Sequence, residues 1–142
     1  MIVKLLFVSA VALCLSGCAT EAVLPSKAAQ VPAERLFKYQ ALTGPSDATL
    51  IVVRDRGLLG SGCFMGVYLN NERSAILNTG EKAVFHLHPG EWSVAMKGEG
   101  KVCIADDVPA GSYVQLKGGE TKAVRLFADP SGNLDVKPLP LQ

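Results

Sequence analysis

From Ala48 onward, apolar and polar side chains alternate at a period of two, in short runs separated by Gly, Pro and Asn. Ala48 to Arg54 (Ala-Thr-Leu-Ile-Val-Val-Arg) is dense in β-branched residues and reads as a strand. Cys63 to Asn70 alternates so that Cys63, Met65, Val67 and Leu69 share one face. Asn70-Asn71 is turn chemistry that tolerates positive φ, and it predicts a hairpin returning through Arg73 to Leu77. Asn78-Thr79-Gly80 then feeds Lys82 to His88, with Ala83, Phe85 and Leu87 on the face to be buried. Pro89-Gly90 suits a type II turn opening onto Trp92, Val94 and Met96, which is the strongest hairpin signal in the chain. Lys101 to Ala105, Ser112 to Leu116, Lys122 to Phe127 and Leu134 to Val136 complete the set, with turns at Pro109-Ala110-Gly111, Gly118-Gly119 and Pro130-Ser131-Gly132-Asn133. About seven to nine short strands without an amphipathic helix predict an all-β fold. The expected architecture is an antiparallel β-sandwich, immunoglobulin-like or prealbumin-like, or a barrel.

The first residues follow another pattern. Lys4 precedes an apolar run from Leu5 to Leu15 that ends in Leu15-Ser16-Gly17-Cys18. A basic start, an apolar segment and small residues before a cut site describe a secretory signal over residues 1–17. Leu-Ser-Gly-Cys resembles the lipobox of bacterial lipoproteins, which implies that Cys18 is acylated, becomes the new N-terminus and anchors the protein in a membrane. The alternatives are an ordinary signal peptide and an uncleaved transmembrane helix, for which the run is short against the ~20 apolar residues a span needs. Ala19, rather than aspartate, follows Cys18; by the same resemblance this points to the outer membrane, facing the periplasm. Residues 18–34 are Ala-rich and interrupted by proline, and they are expected to form a flexible tether, with one helical turn at Pro32 to Arg35. Residues 35–138 would form the sandwich and 139–142 a tail.

Charge narrows the partners. The chain carries 14 basic and 13 acidic side chains, and loss of Lys4 with the leader leaves them balanced. No clustered basic face suggests nucleic acid. Of the four cysteines, Cys14 leaves with the leader and Cys18 takes lipid, so Cys63 and Cys103 remain in an oxidising compartment and are expected to pair. Closing a loop of about 40 residues would constrain the unfolded chain by ~4 kcal/mol. A redox or metal role for these two lacks Cys-x-x-Cys spacing.

Gly62-Cys63 to Asn70, the Asn-Asn turn with its Ala-x-Leu strand, Gly80-Glu81, and Phe85-His86-Leu87-His88-Pro89-Gly90-Glu91-Trp92 together resemble DUF2846-type bacterial lipoproteins and their PEGA-like relatives. The resemblance covers residues 48–97 and rests on turn chemistry, so it implies a fold more than an activity. Asn70-Asn71 stands where Asp-Gly is usual, and Trp92 where histidine is common. No catalytic residue and no cofactor carry over.

Candidate chemistry is sparse. His86 and His88 are the only histidines, and their spacing puts them on one face of a strand, where two imidazoles can chelate a metal if Asp106, Asp107 or Glu91 completes the site; otherwise both face solvent. Arg54-Asp55-Arg56 leads into the glycine-rich stretch Gly57 to Gly62, which lacks the Gly-Lys-Ser/Thr of a phosphate cradle. Within it, Leu58 and Leu59 either cover one end of the sandwich or form a partner-binding tip. No Gly-x-Ser-x-Gly nucleophile is present, and adjacent Asp106-Asp107 would point to opposite faces. Trp92 falls in the core period. Two function classes follow: a non-enzymatic, lipid-anchored envelope protein that binds or braces another envelope protein or a glycan, and a metal- or small-ligand-binding lipoprotein using the His86/His88 face.

Overall fold

The computed structural model describes residues 20–57, 62–100 and 109–142. Strands β1 (Ala29–Gln30), β2 (Ala48–Arg54), β3 (Phe64–Leu69), β4 (Glu72–Leu77), β5 (Glu81–Leu87), β6 (Gly90–Glu99), β7 (Ala110–Leu116), β8 (Thr121–Ala128) and β9 (Leu134–Leu139) follow one another, with a 3₁₀ turn at Ala33–Arg35. They form two sheets, one ordered β1-β5-β2-β8-β9 and the other β4-β3-β6-β7. The fold is the expected all-β sandwich. Its larger sheet is mixed rather than purely antiparallel, because β2 runs parallel to β8 and β1 parallel to β5. The strand expected over Lys101 to Ala105 lies outside the described residues.

The period-two reading places the core correctly. Leu50 and Val52 of β2, Met65, Val67 and Leu69 of β3, Ala83, Phe85 and Leu87 of β5, and Trp92, Val94 and Met96 of β6 all point between the sheets and are buried. Each large side chain so buried is worth about 1.5–3 kcal/mol in transfer free energy. Asn70 and Asn71 adopt φ of 47° and 65° and join β3 to β4 as a hairpin. Pro89-Gly90, by contrast, does not join a hairpin. β5 pairs with β1 and β2, whereas β6 pairs with β3 and β7, so the turn is a corner between sheets. Asn78-Thr79-Gly80 crosses in the same way from β4 to β5. Turn chemistry reverses the chain locally and is silent on which sheet receives the next strand.

The largest departure is at the N-terminus. From Thr20 the chain is not a tether but a packed part of the domain. Glu21 and Arg56 form an antiparallel bridge, β1 pairs with β5, and Val31 N–H donates to Lys82 O at 3.0 Å. Val23 and Ala28 are buried against Val53, Ala123 and Leu139, on the outer face of the larger sheet. That face carries apolar side chains at Ile51 and Val53, which would otherwise be wet, and the irregular segment covers them. Leu139, assigned to a tail, ends β9 and is buried in the same cluster.

Candidate functional site

Arg54 to Gly57, Thr20-Glu21 and the turn after Ala128 meet at one end of the sandwich. β2 and β8 both finish there and β9 starts there, because β2 and β8 are parallel and β9 antiparallel to β8. Asp55, 2 % exposed, is the hub of this end. Its carboxylate accepts from Arg125 Nε at 2.9 Å and from Arg125 Nη2, and the Thr20 hydroxyl donates to its Oδ2 at 2.7 Å. Thr20 is held twice more: its N–H donates to Ala128 O at 3.2 Å, and Ala128 N–H donates to Thr20 Oγ1 at 3.0 Å. Gly57 fits closely beside it, since a Cβ there would stand 3.3 Å from Thr20 Cα, and its φ is +139°. A buried ion pair supplied with further hydrogen bonds recovers its desolvation cost and fixes one geometry, here the position of Thr20.

Arg54 is buried with it, at 4 % exposure. By alternation it shares the inward face of Leu50 and Val52, so its guanidinium reaches between the sheets and donates from Nη1 to Cys63 O at 2.6 Å and Leu77 O at 2.9 Å. Burial lowers its pKa, and the nearby Glu81 carboxylate opposes that. Glu81 in turn receives both Nη1 and Nη2 of Arg35, at 2.7 and 2.8 Å. Burial pushes the Glu81 carboxyl up, but the Arg35 hydrogen bonds and Asn78 N–H outweigh it and leave the group below the ordinary carboxylate range. Arg54-Asp55, expected as the polar start of a glycine-rich loop, is therefore an interior pair of charges that ties the sheets and the N-terminal segment together. A cavity of about 210 Å³ lies alongside, lined by Arg54, Asp55 and Thr20 with Met65, Met96 and Leu134 among its apolar walls.

Of the remaining candidates, the structure describes Cys63, His86, His88 and Trp92. Cys63 is half-buried just before β3. Cys18, Leu58, Leu59, Cys103, Asp106 and Asp107 lie outside the described residues. His86 is half-buried; its N–H donates to Tyr39 O at 2.9 Å and its Nδ1 is buried with no hydrogen-bond partner among the described residues. His88 is exposed, with Nδ1 3.6 Å from Asp47 Oδ1. Among the described residues no group of three or more His, Cys, Asp or Glu side chains is placed to hold a metal ion. Trp92 is a core residue: 8 % exposed, its ring edge-on to Tyr39 at 5.3 Å, its Nε1–H donating to His88 O at 2.9 Å. Burial, then the hydrogen bond to Glu72, pushes the Tyr39 hydroxyl up to about 12.

The outer edges of the sheets differ in their protection. β4 is covered where Leu36 bridges Ala75 and Phe37 N–H donates to Ser74 O, and β9 carries Asp135, Lys137 and Pro138. Strand β7 (Ala-Gly-Ser-Tyr-Val-Gln-Leu) has no charge and no proline, and among the described residues it pairs with β6 alone. Lys122 reaches over to Gln115 O at 2.7 Å, while Tyr113 stands 73 % exposed. Such an edge offers backbone donors and acceptors to an added strand. No family model, curated protein or solved structure matches the chain.

Proposed function

We propose that this is a lipid-anchored, non-enzymatic protein of the bacterial envelope, held in the outer membrane by acylated Cys18 and facing the periplasm, where it binds or braces another envelope component. The observation that carries this reading is the run Leu15-Ser16-Gly17-Cys18 behind an apolar leader, followed only two residues later by Thr20, where the packed domain is already under way. The resemblance to DUF2846-type lipoproteins points the same way. The uncharged edge of β7 gives a partner protein a place to add a strand.

We also assign one disulfide, Cys63–Cys103. Phe64 is in register with Glu99, so the chain leaving β6 sets out beside Cys63, and Cys103 follows four residues on.

Metabolic labelling with a fatty acid tests the anchor. The native chain should incorporate label and sediment with membranes, and Cys18→Ser should do neither. An unlabelled, soluble mature protein would end the reading.

A further inference from the structure

A lipoprotein with a long tether can drift from its membrane, but this chain has almost none. Cys18 Cα lies within about 7 Å of Thr20 Cα, the reach of two extended residues. Thr20 itself is fastened to Asp55 and Ala128, and Glu21 to Arg56. The fixed point of the anchor is therefore one end of the sandwich. We propose that this end, presenting Arg56, Gly57 and the turn from Asp129 to Asn133, lies directly on the phospholipid surface, so that the domain stands upright on its anchor. The proposal rests on acylation of Cys18 and adds an orientation to it.

Among the described residues, the surface so placed suits contact without attraction to one kind of headgroup. Arg56 and Glu21 are both exposed and of opposite sign, and Arg125 is matched by Asp55. The Asp129 carboxylate is occupied, accepting from Ser131 N–H, Asn133 N–H and Asn133 Nδ2, each at 2.9 Å. No apolar wedge is needed, because the acyl chains supply the affinity. β2 rises about 3.3 Å per residue over its seven residues, so the opposite end stands on the order of 20 Å farther from the bilayer. At that end lie the Asn70-Asn71 turn and Leu42, which is 69 % exposed.

The test uses full-length protein purified from membranes and reconstituted in phosphatidylethanolamine vesicles, with or without phosphatidylglycerol, that carry a headgroup-attached quencher. A fluorophore is placed at Ser131→Cys or at Leu42→Cys, and incorporation of labelled fatty acid is measured on the same samples. The expected result is severalfold stronger quenching at residue 131 than at residue 42, equal in both lipid mixtures. Inserting twelve Gly/Ser residues between Ala19 and Thr20, with a reach of ~20 Å, should abolish that difference while leaving the protein membrane-bound. Acylated, bound protein with equal quenching at both positions would overturn the orientation and leave the lipoprotein reading intact. Contact only with anionic lipid would overturn the claim that the anchor imposes it. Protein without fatty acid would overturn both.

Discussion

The two ends of the sandwich are closed by different chemistry. At the far end, closure is mainly apolar: Asn70 and Asn71 turn the chain with positive φ, Trp92 plugs the core against Tyr39, and the buried Asp47 carboxylate is bonded locally, by Thr43, with His88 more loosely beside it. At the Thr20 end, closure is polar and long-range. Arg54 and Asp55 are buried, and their partners come from Thr20, Leu77 and Arg125, far away in sequence. The first arrangement contributes stability through buried area. The second contributes position, because a buried charge tolerates few arrangements of its neighbours. On the proposed acylation of Cys18, the Thr20 end is the one that holds the segment next to the anchor, and there position matters more than extra apolar burial.

Two substitutions sharpen the contrast. Trp92→Ala removes the largest ring of the far end and should cost about 3 to 5 kcal/mol, lowering the single cooperative melting transition of the whole domain. A melting temperature unchanged by this substitution would move Trp92 out of the core. Asp55→Ala leaves Arg125 without its carboxylate and the Thr20 hydroxyl with only Ala128 O as acceptor, and should cost about 3 kcal/mol, the lower end of the range for broken buried pairs because Arg125 keeps some contact with water. Unlike Trp92→Ala, it should also make the segment before Pro32 sensitive to protease under native conditions. Equal protease resistance in both variants would show that the two ends do not differ in kind.

The same contrast separates what was legible in the sequence from what was not. The inward faces of β2, β3, β5 and β6 follow from the period of two, and Asn70-Asn71 announces its own turn. Pro89-Gly90 reads as a hairpin yet turns a corner between the sheets, because nothing in a turn dipeptide encodes a change of sheet. Arg54 reads as the end of a strand and Arg54-Asp55-Arg56 as the lead into a glycine-rich stretch; the burial of Asp55 does not show there, because Arg125, which pairs with it, is 70 residues away. One signal was available: Arg54 continues the alternation of Leu50 and Val52, which puts it on the buried face. Residues 20–31 read as a tether because Val23 and Ala28 recur with no strand or helix period; an irregular segment lying across a sheet shows none.

The proposed orientation and the contrast between the two ends depend on residues 20–31 being fixed to the sandwich. Native-state hydrogen exchange on the Cys18→Ser protein, free of any membrane, measures this directly. The amides of Thr20 and Glu21, bonded to Ala128 and Arg56, and those of Ala29 and Val31, bonded to Gly80 and Lys82, should exchange far more slowly than an unfolded chain. Asp55→Ala should speed Thr20 and Glu21 first. Exchange of all four at unfolded rates in the unsubstituted domain, with β2 and β6 still protected, would make the segment a tether after all and contradict the account.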